Sequence, residues 1–260
     1  MRLGVFVVWV CAWVQLTGCE GDESAATTGS GGDATGAGGD VVTSSGATNA
    51  SGSGGSGGES AGGTGGGGEA PIDPCSGFAV SVEDVTYGDG AGFGQDAMPG
   101  IVLGPPEGTG ELSGSFHVVS LGNGGTITLG FGDQTIIDGE GPDFIVFENP
   151  FYAGGNEDAT FAELATVEVS SDGTTWVAYP CDADASPYGT CAGWNPVFSN
   201  SADPSIDPAD PQTAGGDAFD LADVEMSSVR FIRITDRSDL VGLNGAFDLD
   251  AVALVHAICE

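Results

Sequence analysis

Between Asp138 and Asn149 the chain reads Asp-Gly-Glu-Gly-Pro-Asp-Phe-Ile-Val-Phe-Glu-Asn. This is an acidic turn broken by glycine and proline that feeds an apolar and aromatic run and ends on another carboxylate. A short unbroken apolar run bounded by turn residues reads as a buried strand, here with oxygen ligands at both mouths. The logic repeats at the C-terminus, where Phe247-Asp248-Leu249-Asp250 leads into Ala251-Val252-Ala253-Leu254-Val255. Two such strands are expected to bring their acidic ends together.

The rest of the region 71–260 carries the same kind of signal. Phe78 to Val85, Ser115 to Leu121, Gly125 to Phe131, Phe144 to Glu148, Leu164 to Ser170, Thr175 to Tyr179, Val229 to Thr235 and Asp248 to Ala257 are rich in Val, Ile, Phe and Thr. Glycine-rich turns such as Gly122-Asn123-Gly124-Gly125 and Ser171-Asp172-Gly173-Thr174 separate them. No segment sustains a 3.6-residue period. About eight strands with short turns predict an all-β, two-sheet sandwich, with long loops from Asp89 to Gly114 and from Pro180 to Asp217.

The first 70 residues read differently. Met1-Arg2 and the apolar run Leu3 to Leu16 make a secretory signal over 1–18, too short to cross a bilayer as a stable helix. The run ends in Leu16-Thr17-Gly18-Cys19, which resembles the bacterial lipobox. That resemblance implies acyl chains on Cys19 and stable membrane anchoring, since more than one chain is needed for it. Glu20 to Ala70 is nearly all Gly, Ser, Ala and Thr with scattered acids. It cannot bury enough apolar area to offset its conformational entropy, so 19–70 is expected to be a disordered tether spanning on the order of 40 Å. The expected location is the bacterial cell envelope outside the cytoplasm, at the outer membrane or cell surface rather than the inner membrane.

Charge excludes several functions. Thirty-eight acidic residues face four arginines and no lysine, and such a chain repels phosphate backbones and lacks the basic residues nucleic acid needs. Without lysine there is no Schiff base and no P-loop. The four cysteines of the domain, an even number in an exported chain, favour disulfides over a metal site. Of three pairings we prefer Cys181 with Cys191, a short loop, and Cys75 with Cys259, which would staple the domain ends.

Val169-Ser170-Ser171-Asp172-Gly173-Thr174-Thr175-Trp176, followed much later by Val229-Arg230-Phe231-Ile232-Arg233-Ile234, resembles the discoidin or galactose-binding-like jelly roll. The likeness covers roughly the second half of the domain. It implies a jelly-roll sandwich that binds ligands, often glycans, through loops at one end. It also implies a core tryptophan at Trp176, a disulfide joining the domain ends, and often a structural calcium. The first half carries no such signature, so no sugar site transfers residue by residue.

The residues themselves supply the candidate chemistry. Asp248 and Asp250, two apart on a strand, are expected on one face, where they need compensation near a core. Asp138, Asp143, Glu148, Asp217 and Asp220 are the expected partners in a shared calcium site, because calcium takes six to eight oxygens in flexible geometry. The alternative is that these acids cap turns, pair with Arg230 and Arg233, or face solvent. Tyr152, Trp194 and Arg237 are the candidate ligand contacts, with Phe151 a further loop aromatic suited to a sugar ring. His117 and His256 read as packed rather than catalytic, and no nucleophile elbow or catalytic cysteine pattern occurs. The expectation is a calcium-supported binding or adhesion module for glycan or another surface protein, not an enzyme. A two-carboxylate glycan hydrolase and a purely structural surface protein are the alternatives.

Overall fold

A computed structural model of the chain describes residues 73–182, 186–239 and 245–260. The expected signal, Cys19 and the tether lie outside the described residues. Among the described residues, no helix is long and apolar enough to cross a membrane.

The fold is all-β and antiparallel. One sheet has five strands in the order β1 (Ser81–Thr86), β3 (Thr126–Gly130), β12 (Phe231–Asp236), β8 (Ala165–Ser170) and β9 (Val177–Ala178). A second, three-stranded sheet runs β10 (Asp217–Phe219), β5 (Phe144–Phe147), β14 (Ala251–Leu254). A third runs β11 (Ser228–Val229), β4 (Gln134–Ile137), β15 (Ala257–Cys259). Two short ribbons pair β2 (Val119–Ser120) with β13 (Asp248–Leu249), and β6 (Phe151–Tyr152) with β7 (Thr160–Phe161). The described strands number fifteen rather than eight. The expected strand from Asp248 to Ala257 is cut into β13, β14 and β15, each pairing with a different partner. That from Ser115 to Leu121 shrinks to β2, which leaves His117 in the bend before it.

Side-chain alternation explains the layering. Along β12 every second residue is buried, and Ile232 and Ile234 meet Val167 and Val169 of β8 and Ile127 and Leu129 of β3. The same core takes Phe144 and Val146 of β5 with Val252 and Leu254 of β14, so the two sheets pack face to face as a sandwich. Strand β5 is buried at all four positions. Its alternate residues Ile145 and Phe147 meet Val197 and Ala214 from the long Pro180–Asp217 connection, which covers the outer face of that sheet. An unbroken apolar run is what a strand covered on both faces requires. Gly216 lets the connection lie this close: at φ 72° a Cβ there would meet the Phe147 ring and the Val146 carbonyl.

Disulfides Cys75–Cys259 and Cys181–Cys191 are both formed. The first ties the segment leading to β1 to the last strand. Trp176 is half-buried rather than a core residue, with the Arg233 guanidinium 4.2 Å above its ring.

Candidate functional site: an aromatic cleft over three carboxylates

Strand β5 ends at Phe147, and the next residue, Glu148, turns inward with only 1 % of its surface exposed. The backbone N–H of Asp248 on β13 donates to Glu148 Oε1 at 3.3 Å. Glu163, two residues past β7, completes the group: one oxygen from each of Glu148, Glu163 and Asp248 lies within 4.8 Å of the others. Gly245 lets Glu163 reach in, since a Cβ at that position would collide with Glu163 Oε1.

Three acids this close cannot all ionise without compensation. Burial, followed by the charges of Glu163 and Asp248, holds Glu148 well above the usual carboxylate range. Burial, then Asp248 and Asp236, pushes Glu163 up to about 8. Asp248 is also raised by burial, partly offset by hydrogen bonds from Ser120 and Asn149.

Above this floor opens a cleft of about 620 Å³, which Glu163 and Asp248 line from below. Its walls are apolar: Phe151 of β6 stacks on Phe161 of β7 with ring centroids 5.0 Å apart, and Phe93 meets Phe116 at 6.3 Å. Phe116 is 85 % exposed and Leu112 69 %. The cross-strand pairing of β6 with β7 sets the first aromatic pair. Asn149 anchors the opposite rim by donating to the Ser115 carbonyl at 3.0 Å.

The seven acids expected to share one site fall into separate environments. Glu148 and Asp248 belong to the floor just described. Asp138, Asp143 and Asp220 form a second trio, but Asp143 is occupied by donors. Gly139 N and Leu221 N each reach it at 2.8 Å, and His256 Nδ1 lies 2.9 Å away. In the same trio Asp220 accepts from Ala222 N. Asp217 accepts from Gly193 N, Trp194 N and Asn195 Nδ2, while burial pushes it up to about 7 against those donors. Asp250 does not share a site with Asp248, because the chain breaks from β13 to β14 between them. It accepts from Glu107 N, with His117 Nδ1 3.2 Å away, and that histidine is raised by the contact.

The expected ligand contacts are also redistributed. Of the loop aromatics it is Phe151, not Tyr152, that lines the cleft. Trp194 packs edge-on against Tyr188 and donates to the Cys191 carbonyl, bracing the Cys181–Cys191 loop. Arg237 is held bidentately by Asp239 and bonds the Cys181 carbonyl. Arg233 pairs with Glu168 at 2.7 Å, and Arg230 donates to the Gly132 carbonyl.

Sequence reasoning missed Glu163, Phe93, Phe116 and Phe161. The spacing of Phe161 and Glu163, two apart and so on one face of an extended segment, was the available signal for both. Phe93 and Phe116 sit in irregular segments with no periodicity to mark them. No protein-family model and no curated protein matches the chain.

Proposed function

We propose that the chain is an envelope-anchored lipoprotein whose β-sandwich serves as a calcium-supported binding module for glycans, held off the membrane by its tether. The observation that carries this reading is the cleft: apolar aromatic walls, two strongly exposed apolar side chains at the rim and a carboxylate floor. Flat ring faces cover the apolar faces of a pyranose, while carboxylates and any cation they hold take its hydroxyls. The galactose-binding-like resemblance and the lipobox-like Leu16-Thr17-Gly18-Cys19 support the same reading.

A glycan array probed with the full chain, with and without calcium, tests it. Binding should appear on a subset of oligosaccharides and weaken at least tenfold in Phe116→Ala, which removes an exposed ring without opening the core. Equal binding by that variant would overturn the cleft as the site, and binding only to a surface protein would overturn the glycan. The anchor is tested separately, because Cys19→Ser should move the protein from membranes to the soluble fraction.

One observation favours a second reading, a retaining glycan hydrolase. Glu163, pushed up to about 8, could hold a proton for a leaving group beside Asp248. One oxygen of each lies within 4.8 Å of the other, which is nearer to the roughly 5–5.5 Å carboxylate separation of retaining enzymes than to the roughly 6.5–9.5 Å of inverting ones. Release of reducing ends from a bound oligosaccharide, lost in Glu163→Gln, would establish it in place of simple binding.

A further inference from the structure

We infer that Glu148, Glu163 and Asp248 form a binding site for a hard divalent cation, calcium foremost, whose outward coordination positions open into the aromatic cleft. The cation would thus touch the ligand rather than brace the fold at a distance. The inference rests on the proposed function only for the identity of that ligand.

A cluster of acids alone does not make a metal site. What sets this one apart is how the chain treats its other buried aspartates. Asp143, Asp217, Asp236 and Asp250 each have both carboxylate oxygens met by nitrogen groups: backbone N–H, an amide or a histidine. At the cleft floor that pattern stops. Glu148 Oε2 and Asp248 Oδ1 are buried with no hydrogen-bond partner. A buried polar atom without a partner requires an explanation, and an ion is one of the few available.

The described cationic groups do not supply it. The three described arginines are committed to Glu168, Asp239 and the Gly132 carbonyl, and the two histidines to Asp143 and Asp250. The chain has no lysine.

Geometry and donor chemistry then select the ion. Oxygens bound to one calcium at roughly 2.3–2.6 Å lie at most about 5 Å apart, and the three donor oxygens are within 4.8 Å. The set is all oxygen, with no thiolate or imidazole to favour zinc or copper. Three carboxylates fill three to six of the six to eight positions calcium takes. Because Glu163 and Asp248 face the cleft, the remaining positions are open to hydroxyl or carboxylate oxygens of whatever lies between the phenyl rings.

Calorimetric titration of calcium into the detergent-solubilised, chelator-treated full chain should reveal one saturable site. Glu163→Gln and Asp248→Asn should each weaken it at least tenfold while near-ultraviolet circular dichroism stays native. Asp138→Asn, in the other acidic trio, should leave it unchanged. No saturable uptake up to millimolar calcium, or uptake indifferent to both floor variants, overturns the site, and magnesium binding as tightly overturns the assignment to calcium.

Galactose-, mannose- and uronate-terminated oligosaccharides separate this inference from the glycan reading. Calcium uptake without oligosaccharide binding leaves the cation site standing and sinks the glycan. Oligosaccharide binding of equal strength in chelator sinks the open coordination and leaves the glycan. Loss of oligosaccharide binding in Phe116→Ala, with calcium still bound, supports both.

Discussion

Replacing Asp143 by alanine tests whether this acid is a structural hub rather than an ion ligand. Its two oxygens gather Gly139 N, Leu221 N and His256 Nδ1, tying the acidic turn before β5 to the connection after β10 and to the bend before β15. Truncation strands all three donors, most severely Leu221 N, where the bond is fully buried. A buried donor left unsatisfied costs about 1–3 kcal/mol. Because Gly139 is exposed and His256 half-buried, both recover solvation, and the expected loss is about 3–5 kcal/mol in total. For a domain of about 190 residues, each kcal/mol is worth roughly 2–4 °C, so the midpoint should fall by roughly 6–20 °C. Asp143→Asn keeps the shape and one acceptor, and should lose less than half as much. Differential scanning calorimetry of the full chain in chelator and in excess calcium reads the effect. The shift should be the same in both, because donor protons already occupy both oxygens. A shift below about 2 °C, or one seen only with calcium, would refute the hub and return Asp143 to the list of metal ligands.

Two further outcomes follow from the same geometry. Burial raises Asp217 to about 7 from an ordinary value near 4, so the folded state holds a proton that the unfolded chain gives up. Its contribution to stability is therefore intact below about pH 4 and falls as pH rises toward 7, by up to about 4 kcal/mol. Asp217→Asn cannot ionise, so its melting midpoint should gain on the parent across that window, and a constant gap from pH 4 to 8 would refute the assignment. Cys75–Cys259 closes a loop with 184 residues of separation and Cys181–Cys191 one with 10. Chain entropy predicts losses of about 5 and about 3 kcal/mol when each pair is changed to serine. Equal midpoints for the two double variants would show that native strain or residual unfolded structure dominates.

The class of fold and much of its interior are legible in short stretches of the chain. Local signals suffice for that: period-two alternation marks β8 and β12, the unbroken Phe-Ile-Val-Phe run marks a doubly covered strand, and glycine-rich turns separate short strands. Both preferred disulfide pairings are formed as well. Which acids meet depends instead on long-range strand pairing. Asp248 and Asp250 are two residues apart, yet they serve different centres, because the chain leaves β2 for β5 between them. Glu148 and Asp248 are 100 residues apart and touch. Glu163 enters the same group because β7 pairs with β6 and Gly245 leaves room for its side chain. A carboxylate next to a strand looks the same in sequence whether its oxygens meet backbone N–H groups or one another. That difference lies in long-range pairing and in the distribution of a few buried donors, which no local pattern encodes.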